Sequence, residues 1–212
     1  MPDEIDVLLV DDHTVVRNGV RLMLSSAADI RIAGEAENAQ QALELVKEQP
    51  FDVALIDIAM PGKGGLDLLQ SLRVECPALA VLVLSTYAEE IYAVRALKLG
   101  AAGYLTKDSP TATLVEAVRK AAAGGKYVSP SLMERFATMM GGGGGASHQE
   151  LSNRELEVLK RIAKGEALGQ IAEALHLSPK TVTTYRARIL EKMGLRSNAE
   201  LARYAAENGL LM

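Results

Sequence analysis

Three aspartates, a serine and a lysine of this 212-residue chain stand where short apolar runs stop. Asp11 and Asp12 follow Val7–Val10, Asp57 follows Val53–Ile56, Ser85 closes Val81–Ser85, and Lys107 follows Ala102–Thr106. Uncharged, β-branched runs of this length suit strands buried on both faces of a parallel sheet. Their carboxyl ends border the crevice where open parallel sheets bind ligands. Where the first and third strands are neighbours, Asp11, Asp12 and Asp57 converge, and three carboxylates that close repel unless a cation joins them. All-oxygen ligation in an open site that keeps waters favours Mg2+ over a caged Ca2+. Mg2+ and the Lys107 ammonium would neutralise the equatorial oxygens of a phosphoryl group, Ser85 adds a hydroxyl donor, and Asp57 is the carboxylate nucleophile. Singly, Asp12 reads equally as a helix cap and Lys107 as a solvated charge. All five at strand ends point to one phosphoryl site.

The elements that must hold these residues alternate. Strand-like Val7–Val10, Ile30–Glu35, Val53–Asp57, Val81–Ser85 and Ala102–Thr106 are each followed by a helical pattern: Thr14–Ser25, Asn38–Glu48, Gly65–Glu75, Glu89–Leu99 and Pro110–Ala123. Pro61, Gly62, Gly64 and Gly65 break the chain after Asp57, which puts that acid in a strand-to-helix turn. Five such units predict an α/β doubly wound five-stranded parallel sheet over residues 1–126. Residues 127–147 form a linker, with a short helix over Pro130–Met140 and a run of glycines, Gly141–Ala146, whose backbone entropy makes it a tether.

Residues 148–212 predict a small all-α domain. Ser152-Asn-Arg-Glu155 is a capping box opening a helix that runs to about Lys164, and a second helix spans Leu168–Leu175. Ser178 with Pro179 starts the third, Gly194 ends it, and Ser197-Asn-Ala-Glu200 opens the fourth as another capping box. Helix, the turn His176-Leu177-Ser178, and helix give the spacing of a helix-turn-helix DNA reader. On the third helix Val182, Ile189 and Met193 form one stripe for the core, bordered by Tyr185 and Leu190. The opposite face carries Lys180, Thr183, Thr184, Ala187, Arg188 and Glu191, flanked by Arg186 and Lys192. Small residues at the centre of a face rimmed by cations fit a DNA groove.

Composition agrees with two soluble domains, with 49% hydrophobic and 24% charged residues. The net charge of −4 hides an asymmetry. Residues 1–126 carry 12 Lys and Arg against 18 Asp and Glu, net −6, and residues 148–212 carry 10 against 8, net +2. The acidic part suits a cation and the basic part nucleic acid. An acidic N-terminus and the lack of a long apolar run predict a cytoplasmic protein, and a lone Cys76 excludes an internal disulfide.

VDDH at 10–13, LIDIAMPGKGGLD at 55–67, LST at 84–86 and GAAGYLTKD at 100–108 resemble the receiver domain of two-component response regulators. LSNRELEVLKRIAKG (151–165), IAEALHLSPKTV (171–182) and ILEKMGLRSNAEL (189–201) resemble the LuxR/FixJ (NarL) type of output domain. The first resemblance implies a flavodoxin-like receiver in which Asp57 is the phospho-acceptor. Asp11, Asp12, Asp57 and the Ile58 carbonyl bind Mg2+, Ser85 and Lys107 are the switch pair, and Tyr104 is the switch aromatic. Together the two imply a phosphorylation-controlled transcription regulator, not an enzyme, whose partners are a sensor histidine kinase, promoter DNA and, once phosphorylated, a second copy joined through the fourth output helix, Ala199–Glu207. DNA contacts fall to Lys180, Thr183, Thr184, Arg186, Ala187, Arg188 and Lys192. Three departures stand out: Gly64 where an acid is common, Leu168-Gly169 where a polar pair is usual, and Tyr185 where many members have His. Two other readings use the same residues. A Mg2+-dependent phosphohydrolase would need a second acid/base near Asp57 and a lid, and a receiver acting only as a protein-binding module leaves the capped, basic output helices without a role.

Overall fold

The computed structural model describes residues 4–60, 64–86, 89–130, 132–134 and 148–211. The chain divides into two compact units, Met1–Arg135 and Phe136–Met212. In the first, strands β1 (Ile5–Val10), β2 (Ile30–Ala36), β3 (Val53–Ile56), β4 (Ala80–Ser85) and β5 (Gly103–Thr106) alternate with helices α1 (Thr14–Leu24), α2 (Ala39–Glu48), α3 (Gly65–Glu75), α4 (Glu89–Lys98) and α5 (Thr111–Ala122). The strands pair in parallel in the order β2-β1-β3-β4-β5. β1 and β3 are therefore neighbours, and between them lies the topological switch point where doubly wound sheets open a crevice.

Coverage on both faces explains why the strands read as uninterrupted apolar runs. Val7, Leu9, Val53, Leu55, Leu82, Leu84 and Leu105 pack with Val20 and Leu24 of α1 and with Leu114, Val118 and Ala121 of α5. Alternate residues Leu8, Ala54, Ile56 and Val83 are equally buried, α2 packs on β1 and β2, and α4 packs on β5. Each fully buried leucine stabilises the sheet by ~1.5–3 kcal/mol relative to exposure. Register then places the site: Val10 lies opposite Ile56, and Ser85 lies opposite Thr106. The residues that follow, Asp11, Asp57 and Lys107, leave the sheet on one edge.

Most boundaries differ from the expected ones by a residue or two. β3 stops at Ile56, and the Asp57 amide makes the last rung, donating to the Val10 carbonyl at 2.9 Å. α5 starts at Thr111 with Pro110 as its cap residue. Of the helix expected over residues 130–140, residues 130 and 132–134 are described and helical; the glycine tether lies outside the described residues. Among the described residues no helix is long and apolar enough to cross a membrane.

The described part of the second unit starts with a 3-10 turn, His148–Glu150, held to the last helix where the Tyr204 hydroxyl meets His148 Nδ1 at 2.9 Å. Four helices follow: α6 (Asn153–Ala163), α7 (Leu168–Ala174), α8 (Pro179–Met193) and α9 (Asn198–Glu207). α6 packs on α8 and α9, and α7 packs on α8. The Ser152 capping box is complete, with Ser152 Oγ accepting from the Glu155 amide and Glu155 Oε2 from the Ser152 amide at 2.6 Å. α8 has its Ser178 cap, Pro179 in the first turn, and Gly194 in the left-handed conformation at φ +63°. The box expected at α9 has one arm only. Ser197 Oγ accepts from the Glu200 amide, but Glu200 Oε2 takes the Arg196 amide. α7 has no acceptor at Ala167, and Gln170 Oε1 supplies the one side-chain bond there, from the Ala167 amide at 2.9 Å.

Lys160 on α6 is 7% exposed. Burial pushes its pKa down to about 8; Lys164 adds to the effect, and Glu157 opposes it. The unfolded chain keeps that proton up to the ordinary 10.5. Between about 8 and 10.5 the unfolded state therefore binds more protons, and this residue's contribution to stability rises with pH. Lys160→Met removes this titration, and the urea midpoint of the variant relative to wild type is accordingly expected to stand highest below about pH 8. The difference from wild type should shrink as pH passes through that window; a difference constant with pH would show that the ammonium is not the cause.

Candidate functional site

Asp11 and Asp57 are each 2% exposed, at the ends of β1 and β3. Carboxylate oxygens of Asp11, Asp12 and Asp57 and a ring nitrogen of His13 lie within 4.8 Å of one another. Lys107, after β5, reaches into this cluster: its Nζ is 2.6 Å from Asp11 Oδ2 and 2.8 Å from Asp57 Oδ2. Burial works against the ammonium, but hydrogen bonds and charge from Asp11 and Asp57 outweigh it and raise its pKa above the ordinary value. Lys107 is thus a fixed cation, not a solvated one. Its amide donates to the Ser85 carbonyl at 2.8 Å, so the β4–β5 ladder itself places Ser85 beside it. Ser85 is fully buried, as is Tyr104 on β5.

The other Asp57 oxygen, Oδ1, accepts from the Ala59 amide at 3.1 Å. The turn after it is closed by the Gly65 amide, which donates to the Ile58 carbonyl at 3.2 Å. A carbonyl oxygen has two lone pairs, so Ile58 keeps one for a cation. Asp12 is not a helix cap, because His13 occupies the cap position of α1. Asp12 Oδ1 is buried without a hydrogen-bond partner; His13 Nδ1 stands 2.9 Å away but out of line for a bond. A buried carboxylate oxygen lacking a donor, among three acids with one lysine, is the donor set a hard divalent ion completes. The sequence reading missed His13 as a member of the cluster, and missed Arg17, whose guanidinium donates to the Asp11 carbonyl at 2.7 Å.

In the second unit, Lys180, Thr183, Thr184, Ala187, Arg188 and Glu191 are exposed on α8, while Val182, Ile189 and Met193 are buried. The hydroxyls of Thr183 and Thr184 turn back to the carbonyls of Pro179 and Lys180, at 2.9 and 3.1 Å. Arg186 is oriented by Nε donating to Asn198 Oδ1 of α9 at 2.6 Å.

Lys192 is tied to the unit's interior by one ion pair, its Nζ 2.7 Å from Oε2 of Glu155, which is 3% exposed. Burial pushes the Glu155 pKa up, but hydrogen bonds from Lys192 and Ser152 overcome it, and the net shift is downward. The stability this supplies is present above the unfolded value of 4.5 and lost as pH falls through the lower folded one. Lys192 is therefore chiefly a brace between α6 and α8. Lys192→Met should destabilise the unit by about 1–3 kcal/mol, toward the lower end because the lysine is 41% exposed. Adding Glu155→Gln should return part of that loss. A double-mutant cycle by urea unfolding measures it, and strict additivity would deny the brace.

Residues 7–119 match the family described as the response regulator receiver domain, and residues 149–205 match the bacterial regulatory proteins of the luxR family. The response regulator GacA of Pseudomonas aeruginosa is 36% identical over 209 residues, covering 98% of each chain. The response regulator UvrY of Escherichia coli K12 is 33% identical over 208 residues, 97% of this chain and 95% of that one. RcsB of Salmonella enterica serovar Typhimurium, bound to a promoter in the presence of phosphomimetic BeF3-, is similar in structure with a TM-score of 0.70 at 25% identity, over 97% of this chain and 100% of that one. With both families matched in this order and relatives similar over nearly their whole length, the chain belongs to the response regulators that join a receiver domain to a LuxR-type DNA-binding domain.

Proposed function

We propose that this chain acts in the cytoplasm, where Asp57 accepts a phosphoryl group from a sensor histidine kinase, and that the modification controls dimerisation and promoter binding. The observation that carries this reading is Lys107 bridging Asp11 and Asp57 beside an Asp12 oxygen that has no donor. Asp11, Asp12, Asp57 and the Ile58 carbonyl would hold the cation, and Mg2+, which suits their all-oxygen set, would supply positive charge to the phosphoryl oxygens. A carboxylate oxygen of Asp57 forms the new O–P bond as the donor's P–N bond breaks. Lys107 then exchanges its Asp57 contact for a phosphoryl oxygen, and Ser85 donates its hydroxyl to another. Tyr104, fully buried on β5, is the aromatic that follows the change and makes the pair a two-state element. Incubating the chain with acetyl phosphate and Mg2+ and mapping the product by mass spectrometry tests the assignment: one phosphoryl group on the peptide containing Asp57 is expected, and label elsewhere would refute it.

The output half follows from the exposed face of α8 and from the promoter-bound relative. Lys180, Thr183, Thr184, Arg186, Ala187 and Arg188 meet the groove, Lys192 adds its charge at the rim, and α9 joins two copies on a two-fold site. Arg186→Ala should weaken binding to all sequences alike and reduce the salt slope by about one unit. Thr184→Ala should alter preference at one base pair per half-site by ~1 kcal/mol with the slope unchanged, since its methyl, with the hydroxyl turned inward, is the group left to touch a base edge. Binding to a set of operator variants at several salt concentrations separates the two; exchanged effects would rotate the reading face toward Arg186.

A further inference from the structure

β1 ends at Val10, and the next residue must carry both a buried carboxylate and the turn into α1. The Asp11 amide is satisfied by the Ala36 carbonyl of β2 at 3.1 Å, and its Oδ1 accepts from the His13 amide at 2.8 Å. Its own carbonyl lies beyond the last strand rung. A buried carbonyl there needs a donor, and Arg17 supplies it from one turn into α1, with Nη1 at 2.7 Å. The rest of the guanidinium is also engaged: Nε with Glu35 Oε2 at 3.3 Å, and Nη2 with Glu37 Oε1 at 2.6 Å and Thr14 Oγ1 at 3.3 Å. Glu35 is shared with Arg21. The Arg17 side chain is 8% exposed.

We infer that Arg17 is a positioning residue for the divalent-cation site, acting through the Asp11 carbonyl; this rests on the cation reading of Asp11, Asp12 and Asp57 given above. The peptide joining Asp11 to Asp12 is one rigid plane, so fixing its carbonyl fixes where the Asp12 Cα, and with it the Asp12 carboxylate, begins. The effect is geometric, not a field effect. Glu35 and Glu37 together match the charges of Arg17 and Arg21, so the potential of the three aspartates is offset by the Lys107 ammonium and not by these arginines. A lysine cannot substitute, because one ammonium lacks the planar fork that reaches a carbonyl and two separate carboxylates at once.

The sign of one measurement separates the possibilities. Mg2+ is titrated calorimetrically into the full chain of wild type, Arg17→Met and Arg17→Lys, at a temperature where urea melts show all three folded. Positioning predicts that Kd for Mg2+ rises about ten-fold in both variants, as for other residues that orient metal ligands. It also predicts that acetyl phosphate labelling regains its full rate at saturating Mg2+, the loss lying in the half-saturation concentration alone. Unchanged Kd in both variants would reduce Arg17 to a fold brace. Tighter Mg2+ binding by Arg17→Met would mean that its charge opposes the ion, and a wild-type Kd in Arg17→Lys would mean that charge alone suffices; each overturns the inference. Should Arg17→Met not fold, Arg17→Lys alone decides. A wild type that binds no Mg2+ refutes the cation reading itself, a failure visible before either variant is made.

Discussion

Asp57→Asn is expected to end labelling by acetyl phosphate while leaving the receiver folded. The amide is isosteric, and its oxygen can still accept from the Ala59 amide, the bond that holds Oδ1 in place. Lys107 keeps its other partner, Asp11, at 2.6 Å. What the substitution removes is the anionic nucleophile, for which an amide has no equivalent. Asp11 is buried and paired as well, and its Oδ1 accepts from the His13 amide just as Asp57 Oδ1 accepts from the Ala59 amide, so the labelling of the Asn variant is what separates the two acids. Stoichiometric phosphorylation of the Asn variant, by intact mass, would move the acceptor elsewhere. Lys107→Ala completes the pair: it should still be labelled, because Asp57 remains, but labelled protein should show no gain in dimerisation or promoter affinity. A variant that dimerises like wild type in sedimentation would remove Lys107 from the switch.

Gly65→Ala is expected to damage both stability and the site. A Cβ there would sit 1.9 Å from the Asp57 carbonyl oxygen, 2.7 Å from its carbon and 2.9 Å from the Ile58 Cα. All three are backbone atoms, so no side chain can move aside. The turn must open, breaking the Gly65 amide bond to the Ile58 carbonyl and shifting that carbonyl away from the cation. We expect a loss of ~3 kcal/mol or more in urea unfolding, the scale of severe overpacking. Weakened Mg2+ binding should accompany it. Gly64→Ala is the control: its Cβ would meet the Ile58 carbonyl at an ordinary 3.6 Å. Equal stability for the two variants would show the turn to be more compliant than its packing implies.

That contrast also shows what was legible in the sequence. Gly65 could be read as a chain break after Asp57, but not as the residue on which the Asp57 carbonyl rests, because close approach of two backbones leaves no pattern in residue types. The five strands were readable because burial on both faces removes every charge from Val53–Ile56 and its neighbours. The same burial made Asp11, Asp57 and Lys107 conspicuous at their ends. Arg17 was not readable. It lies within a helix whose outer face carries Asn18 and Arg21, and only the sheet order, with β2 beside β1, brings Glu35 and Glu37 to it. Lys192 was read as a rim cation from its angle on the helical wheel. The wheel gives direction but not partners, and Glu155, thirty-seven residues earlier, is the partner. The second capping box followed the Ser-x-x-Glu pattern, yet Glu200 bonds the amide one residue further back. Spacing alone does not select between two adjacent amides.

Promoter affinity of one preparation, measured with and without beryllofluoride in the presence of Mg2+, tests most directly whether the aspartate pocket governs the DNA-binding half. Beryllofluoride should tighten binding by wild type several-fold and shift it to two copies per site, while Asp57→Asn shows the unmodified affinity under both conditions. Equal affinity of wild type with and without beryllofluoride, with Mg2+ and the phosphoryl mimic demonstrably bound, would contradict the account.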